Sequence, residues 1–84
     1  MKLSFTDHAW EDYLYWFQAD PRMTRKNHAL LKDALRTPRE GLGKPERLRE
    51  SLSGYWSRRI DRQHRLVYEV RDDELLIVQE RFHY

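Results

Sequence analysis

The chain closes on Arg81-Phe82-His83-Tyr84, which brings a guanidinium, an imidazole and two aromatic rings into four consecutive residues. Arginine grips an oxyanion with a planar fork, and histidine exchanges a proton near neutral pH, so Arg81 and His83 suit chemistry on a phosphate. The apolar run Leu75-Leu76-Ile77-Val78 leads into them and reads as a strand over residues 75–82. Alternation along such a strand sends Gln79, Arg81 and His83 to one face and Glu80, Phe82 and Tyr84 to the other. Upstream, Lys44, Arg47, Arg49, Arg58, Arg59, Arg62 and Arg65 are seven cations set against three acids, Glu46, Glu50 and Asp61. Arginine in place of lysine favours bidentate phosphate contacts and stacking on bases, which makes nucleic acid the natural partner. Metal-free RNA cleavage needs a base for the 2′-hydroxyl, cations for the charge gathering on the phosphate, and an acid for the departing 5′-oxygen. Glu46, the arginines and His83 are of the right types for those three roles. The same residues also fit a solvated basic strand face, with Glu46 in a surface ion pair with Lys44 or Arg49.

Other chemistries find less support. His8, His28, His64 and His83 are far apart, and no pair has the spacing of a zinc site, so no metal is expected. No glycine-rich phosphate loop follows a strand, and Gly41-Leu42-Gly43 reads as a flexible loop; no cofactor is implied. Cysteine is absent, which fits a reducing cytosol and excludes disulfides and thiolate sites. The opening Met1-Lys2-Leu3-Ser4-Phe5-Thr6 lacks the apolar core of a signal peptide, and no run approaches a membrane span, so a cytoplasmic location is expected. The 84 residues make one expected domain, 1–84, and an aromatic content of 13% is too high for a disordered tail.

The elements that must position these groups follow from caps and periodicity. Leu3-Ser4-Phe5 alternates as a short strand, and Thr6 or Asp7 offers an N-cap for a helix carrying Trp10, Tyr13, Leu14 and Phe17. Asp20-Pro21 starts a second helix with the stripe Met23, Leu30, Leu31, Ala34 and Leu35, and Thr37-Pro38 stops it. Both stripes are expected to be core. Residues 37–54 read as a loop, or a loop with one helical turn, that Leu42, Leu48 and Leu52 pin down. Strands follow at 55–60, 65–70 and 75–82 with short polar links, an antiparallel meander. The expected fold is α+β, in the order βααβββ, with an αα-hairpin on one face of a small, mainly antiparallel twisted sheet. Arg65, Val67 and Glu69 share a face of the second meander strand, and either Arg58 or Arg59 would look outward with Arg65.

Four segments then carry a resemblance: Gly43-Lys44-Pro45-Glu46, Leu52-Ser53-Gly54-Tyr55-Trp56-Ser57-Arg58-Arg59-Ile60, His64-Arg65-Leu66-Val67-Tyr68, and Arg81-Phe82-His83-Tyr84. In this order and at these separations they resemble the YoeB-family toxins of the RelE/ParE toxin–antitoxin superfamily, over essentially the whole chain. The resemblance implies a ribosome-dependent endonuclease that cuts mRNA in the A site. It implies Glu46 as general base, His83 as general acid and Arg65 as the phosphate clamp with Arg59 beside it, while Lys44 and Tyr84 bind or orient the RNA. Arg49 stands where the family usually has lysine, Phe82 where tyrosine is common, and Arg47 where proline is often found. Arg49 and Arg81 complete the expected RNA-binding set. A YefM-like antitoxin, the ribosome, operator DNA for the toxin–antitoxin complex, and a second copy of the chain are the implied partners. The rival readings are a ParE-like inhibitor of DNA gyrase and a non-enzymatic nucleic-acid-binding module.

Overall fold

Two caps set the helices. Thr6 is extended and its Oγ1 accepts the N–H of Ala9 at 3.1 Å, which starts α1 (Asp7–Ala19). Asp20 ends α1 by donating its N–H to the Trp16 carbonyl and opens α2 (Pro21–Arg36) by accepting from the N–H groups of Arg22 and Met23. A single residue thus serves both helices, with Pro21 pre-set for the first turn of α2, and the pair folds back as a hairpin. In the computed structural model, which describes residues 1–82, β1 (Lys2–Phe5) precedes α1. After α2 come β2 (Glu46–Arg47), a 3-10 turn (Glu50–Leu52), β3 (Tyr55–Arg59), β4 (Arg65–Arg71) and β5 (Glu74–Gln79). His83 and Tyr84 lie outside the described residues.

The five strands form one sheet in the order β1-β5-β4-β3-β2. The meander β3-β4-β5 and the β2–β3 pair are antiparallel, and β1 adds to the outer side of β5 in parallel. The architecture is α+β, as expected, with the helices on one face. Ala9 and Trp16 of α1 and Met23, Leu30, Leu31 and Ala34 of α2 pack on Ile60, Leu66, Tyr68, Leu75 and Ile77. No helix among the described residues is long and apolar enough to cross a membrane.

Three sequence expectations fail, each for a physical reason. The segment read as a loop contains β2, a strand of only two residues, too short for period-2 alternation to reveal. The aromatic stripe of α1 is not core: Trp10, Leu14 and Phe17 are 48%, 39% and 61% exposed, and Ala9, Asp12 and Trp16 face the sheet instead. The rings cover one another on the surface, with Trp10 stacked on Tyr13 at 5.3 Å, Tyr13 on His28 at 5.7 Å, and Phe5 edge-on to Trp10 at 5.8 Å.

The third failure is the strand through residue 82. β5 ends at Gln79, and residues 80–82 bend away, with Phe82 at φ +63°. Just before that end, the register slips: Tyr68 pairs with Ile77 but Val67 pairs with Gln79, which leaves Val78 as the extra residue of a bulge. The slip inverts the alternation. Leu75 and Ile77 point to the helices, yet beyond the bulge it is Glu80 that is buried, and Gln79 shares the row of Val67.

Candidate active site

Arg58 fixes the frame of the site. Its register neighbour is Leu66, on the helix face of the sheet, and its side chain is fully buried. A buried guanidinium must be paired and have its donors filled. Nη1 donates to Asp33 Oδ2 at 2.8 Å and to the Leu42 carbonyl at 3.1 Å. Nη2 donates to the carbonyls of Thr37 at 2.7 Å and Glu40 at 3.0 Å, and Nε donates to the Tyr68 hydroxyl at 2.9 Å. The Tyr68 hydroxyl in turn donates to the Pro38 carbonyl at 2.7 Å. Asp33 also accepts from the Leu42 N–H at 2.9 Å, and that bond, with those from Arg58 and Arg36, holds its carboxyl down at about 2.

The Gly41-Leu42-Gly43 segment is therefore not the flexible loop the composition suggests. It is wrapped around Arg58, and both glycines are required at positive φ, +115° and +78°. A Cβ on Gly43 would lie 2.8 Å from Leu30 Cδ2 and 3.0 Å from the Arg59 carbonyl. The Arg59 N–H donates to the Gly43 carbonyl at 2.7 Å, locking the loop to β3 immediately before Lys44, Pro45 and Glu46.

The open face of the sheet collects the charged candidates. Glu46 pairs in register with Ser57, and Ser57 with Val67, so Glu46 stands on the face opposite the helices. Arg59 and Arg65 are direct cross-strand partners two residues further along the same face. From strand geometry the Cα atoms of Glu46 and Arg59 are roughly 8 Å apart and those of Glu46 and Arg65 roughly 12 Å, within reach of a glutamate and an extended arginine converging on one phosphate. Arg59, Arg62 and Arg65 line a recess of about 430 Å³ together with Asp61. The Asp61 carboxylate is taken up by the turn, accepting the N–H groups of Gln63 at 2.9 Å and His64 at 2.8 Å. Lys44 and Arg49 are exposed on the segments entering and leaving β2.

Residues 80–82 carry the chain past the start of β4, where the Phe82 carbonyl meets Arg65. The Glu80 N–H donates to Asp12 Oδ2 at 3.1 Å, and Trp16 Nε1 donates to the Glu80 carbonyl at 2.8 Å. The Glu80 side chain is fully buried, and neither of its carboxyl oxygens has a hydrogen-bond partner among the described residues. Burial, helped by the neighbouring charge of Asp12, pushes this carboxyl up to about 8. Arg81 sits over Tyr15, its guanidinium carbon 3.4 Å from the ring centroid, with the Phe82 centroid at 4.5 Å. The Phe82 carbonyl accepts the Arg65 N–H at 3.0 Å and the Gln79 amide at 3.1 Å.

Glu46, Arg59 and Arg65 are thus brought to one face, and of the two adjacent arginines Arg59 is the outward one. Arg81 is engaged with the rings of α1 and the tail. His83 and Tyr84 lie outside the described residues, and only their approach through Phe82 is defined. Residues 5–84 match the model of a YoeB-like toxin of bacterial type II toxin–antitoxin systems. The chain belongs to this family. The toxin YoeB of Escherichia coli K12 is 56% identical over 84 residues, covering all of both sequences. The YoeB/ParE toxin from Agrobacterium tumefaciens superposes with a TM-score of 0.98 at 49% identity over 100% of each chain. The YoeB–YefM complex from Staphylococcus aureus contains a chain that superposes with a TM-score of 0.92 at 44% identity, over 100% of this chain and 98% of that one.

The functional frame that sequence reasoning missed is Asp33 and Arg58. A signal existed: Asp33 interrupts the buried stripe between Leu31 and Ala34, and Arg58 alternates with the outward Arg59. Each is a charge on an apolar face, and each needs the other.

Proposed function

We propose that this toxin is an endoribonuclease that cleaves mRNA in the ribosomal A site. The observation that carries the reading is the gathering of Glu46, Arg59 and Arg65 on one sheet face, at the end where the chain runs on toward His83. Glu46 takes the proton of the 2′-hydroxyl, and the freed oxygen attacks the adjacent phosphorus. Arg65 and Arg59 hold the non-bridging oxygens as negative charge accumulates on the phosphorane. His83 gives a proton to the leaving 5′-oxygen, so the products are a 2′,3′-cyclic phosphate and a 5′-hydroxyl. Tyr84 orients the substrate beside His83, and Lys44, Arg49 and Arg81 bind the RNA backbone. The chemistry is carried by side chains alone. A YefM-like antitoxin covers the basic face, the toxin pairs with a second copy of itself, and the toxin–antitoxin complex binds operator DNA.

Programmed ribosomes carrying a defined mRNA test the reading, with wild type, Glu46→Ala and His83→Ala side by side and naked mRNA as control. Cuts confined to the A-site codon, lost in both variants, are expected. Intact mRNA with folded wild-type protein would discard the endonuclease and leave gyrase inhibition or non-cleaving nucleic-acid binding, which a supercoiling assay and salt-dependent binding separate.

A further inference from the structure

The peptide that delivers the C-terminal residues is held by a side chain to which the catalytic reading gives no role. The N–H of Phe82, the last described donor before His83, points at Nδ1 of His64 at 2.8 Å. An imidazole can accept at Nδ1 only if it is neutral and carries its proton on Nε2. The backbone that carries the ring is fixed, because the His64 N–H donates to Asp61 Oδ1 at 2.8 Å and its carbonyl accepts from Ile60 at 2.9 Å. The ring packs edge-to-face with Trp16 of α1, with centroids 4.8 Å apart and planes at 83°, and the Phe82 ring lies 5.9 Å from it. His64 thus touches both α1 and the tail, one residue before Arg65.

This contact answers a conformational need. Phe82 adopts φ +63°, a left-handed geometry that a residue with a Cβ adopts only where its surroundings impose it. Both of its backbone polar groups are gripped by the β4 entrance: the N–H by His64, the carbonyl by the Arg65 N–H. Adjacent residues at one strand end thus hold the two peptide groups that flank the Phe82 Cα. A relaxed, negative-φ Phe82 would send the following residues in another direction.

We propose that His64 is a positioning residue for the reaction: its Nδ1, by accepting the Phe82 N–H, sets the direction in which the chain leaves toward His83. The proposal rests on the endonuclease reading for its effect on rate, though not for its effect on the tail. It makes His64 and Arg65 a linked pair, one holding the Phe82 peptide that precedes His83 and the other holding the phosphate.

Two variants separate the acceptor from the ring. His64→Phe keeps the edge contact with Trp16 and removes the acceptor, while His64→Asn places an amide oxygen near the position of Nδ1 and removes the ring. Amide hydrogen exchange at Phe82 is the first readout. His64→Phe is expected to speed exchange at Phe82 at least tenfold while β4 amides keep their protection, and His64→Asn is expected to stay within about threefold of wild type. Ribosomal cleavage is the second. The rate at saturating toxin should fall ten- to hundredfold in His64→Phe with half-saturation unchanged within about threefold, and His64→Asn should recover most of it. Unchanged Phe82 exchange in His64→Phe overturns the proposal whatever the cleavage result. So does a released Phe82 with wild-type cleavage, or an Asn variant no better than the Phe variant. If His64→Phe unfolds, the Asn variant decides by itself, because fast Phe82 exchange there refutes the acceptor role. If wild type cuts no RNA, the endonuclease reading fails separately and the exchange data still judge the tail contact.

Discussion

Replacing Glu80 by glutamine should remove a destabilising pH dependence built into the fold. Glu80 is fully buried with both carboxyl oxygens unpartnered among the described residues, and its carboxyl titrates at about 8 against an ordinary 4.5. Between those values the folded protein keeps the proton and the unfolded chain releases it. The unfolded state then binds fewer protons, so stability falls as pH rises from about 4.5 and levels off above about 8. The slope across the window approaches about 1.4 kcal/mol per pH unit, so between pH 5 and pH 7 the Glu80 contribution falls by about 2–3 kcal/mol. For a domain of this size that is on the order of 10–20 °C in Tm.

Glutamine matches the shape of the neutral acid and does not titrate. The two proteins should therefore be close in stability near pH 5, and the variant should be ahead by about 2–4 kcal/mol at pH 8. Urea titrations monitored by tryptophan fluorescence at half-unit pH steps give the comparison. The four histidines are present in both proteins and cancel in the difference. A wild-type-to-variant difference that stays constant within about 0.5 kcal/mol from pH 5 to 8 would refute the reasoning, since Glu80 would then be ionised in place or hydrated.

Two further outcomes follow from the Arg58 frame. Arg58→Ala should lower stability by about 3–5 kcal/mol, because it takes from the Asp33 carboxylate its buried cationic partner and from each of the Leu42, Thr37 and Glu40 carbonyls a donor; urea midpoints at pH 7 check it. In acid, Asp33 works in the opposite sense to Glu80. Its carboxyl is held down at about 2 against an ordinary 3.8, so its contribution is full above about 4 and lost as pH falls toward 2. Asp33→Asn should be less stable at neutral pH and should lack that acid-limb loss, as thermal melts between pH 2 and 5 will read.

Caps and apolar periodicity made most of the fold legible. Thr6, Asp20 and Thr37 bound the helices where expected, and the stripe of α2 is buried from Met23 to Ala34. The stripe of α1 misled because hydrophobicity alone cannot rank faces of a helix that must also satisfy polar groups. Asp12 and Trp16 face inward because the Glu80 peptide offers them an N–H and a carbonyl. The bulge at Val78 was likewise invisible, since one extra residue changes no pattern over a strand this short. Of the candidate site, Glu46, Arg59 and Arg65 were legible as residue types, but their common face depended on β2, whose two residues carry no periodic signal.

The two sides of the candidate site are held by different physics. On the Glu46 side, the loop is closed around a buried guanidinium whose five N–H donors are all filled. On the tail side, the bonds from Trp16, Asp12 and Arg65 to the backbone are joined by contacts whose state is conditional. Glu80 must stay protonated, His64 must stay neutral, Phe82 must hold a positive φ, and Arg81 is kept by ring contacts that solvent can reach. Local opening begins where such contacts are fewest and most exposed. The residues expected to accept and steer the phosphate sit on paired strands, while residues 80–82 bend away beyond the end of β5. Such a division suits a toxin of a toxin–antitoxin module: a shift of residues 80–82 would move the chain that leads to His83, and the bonds that hold Arg58 share no partner with that segment.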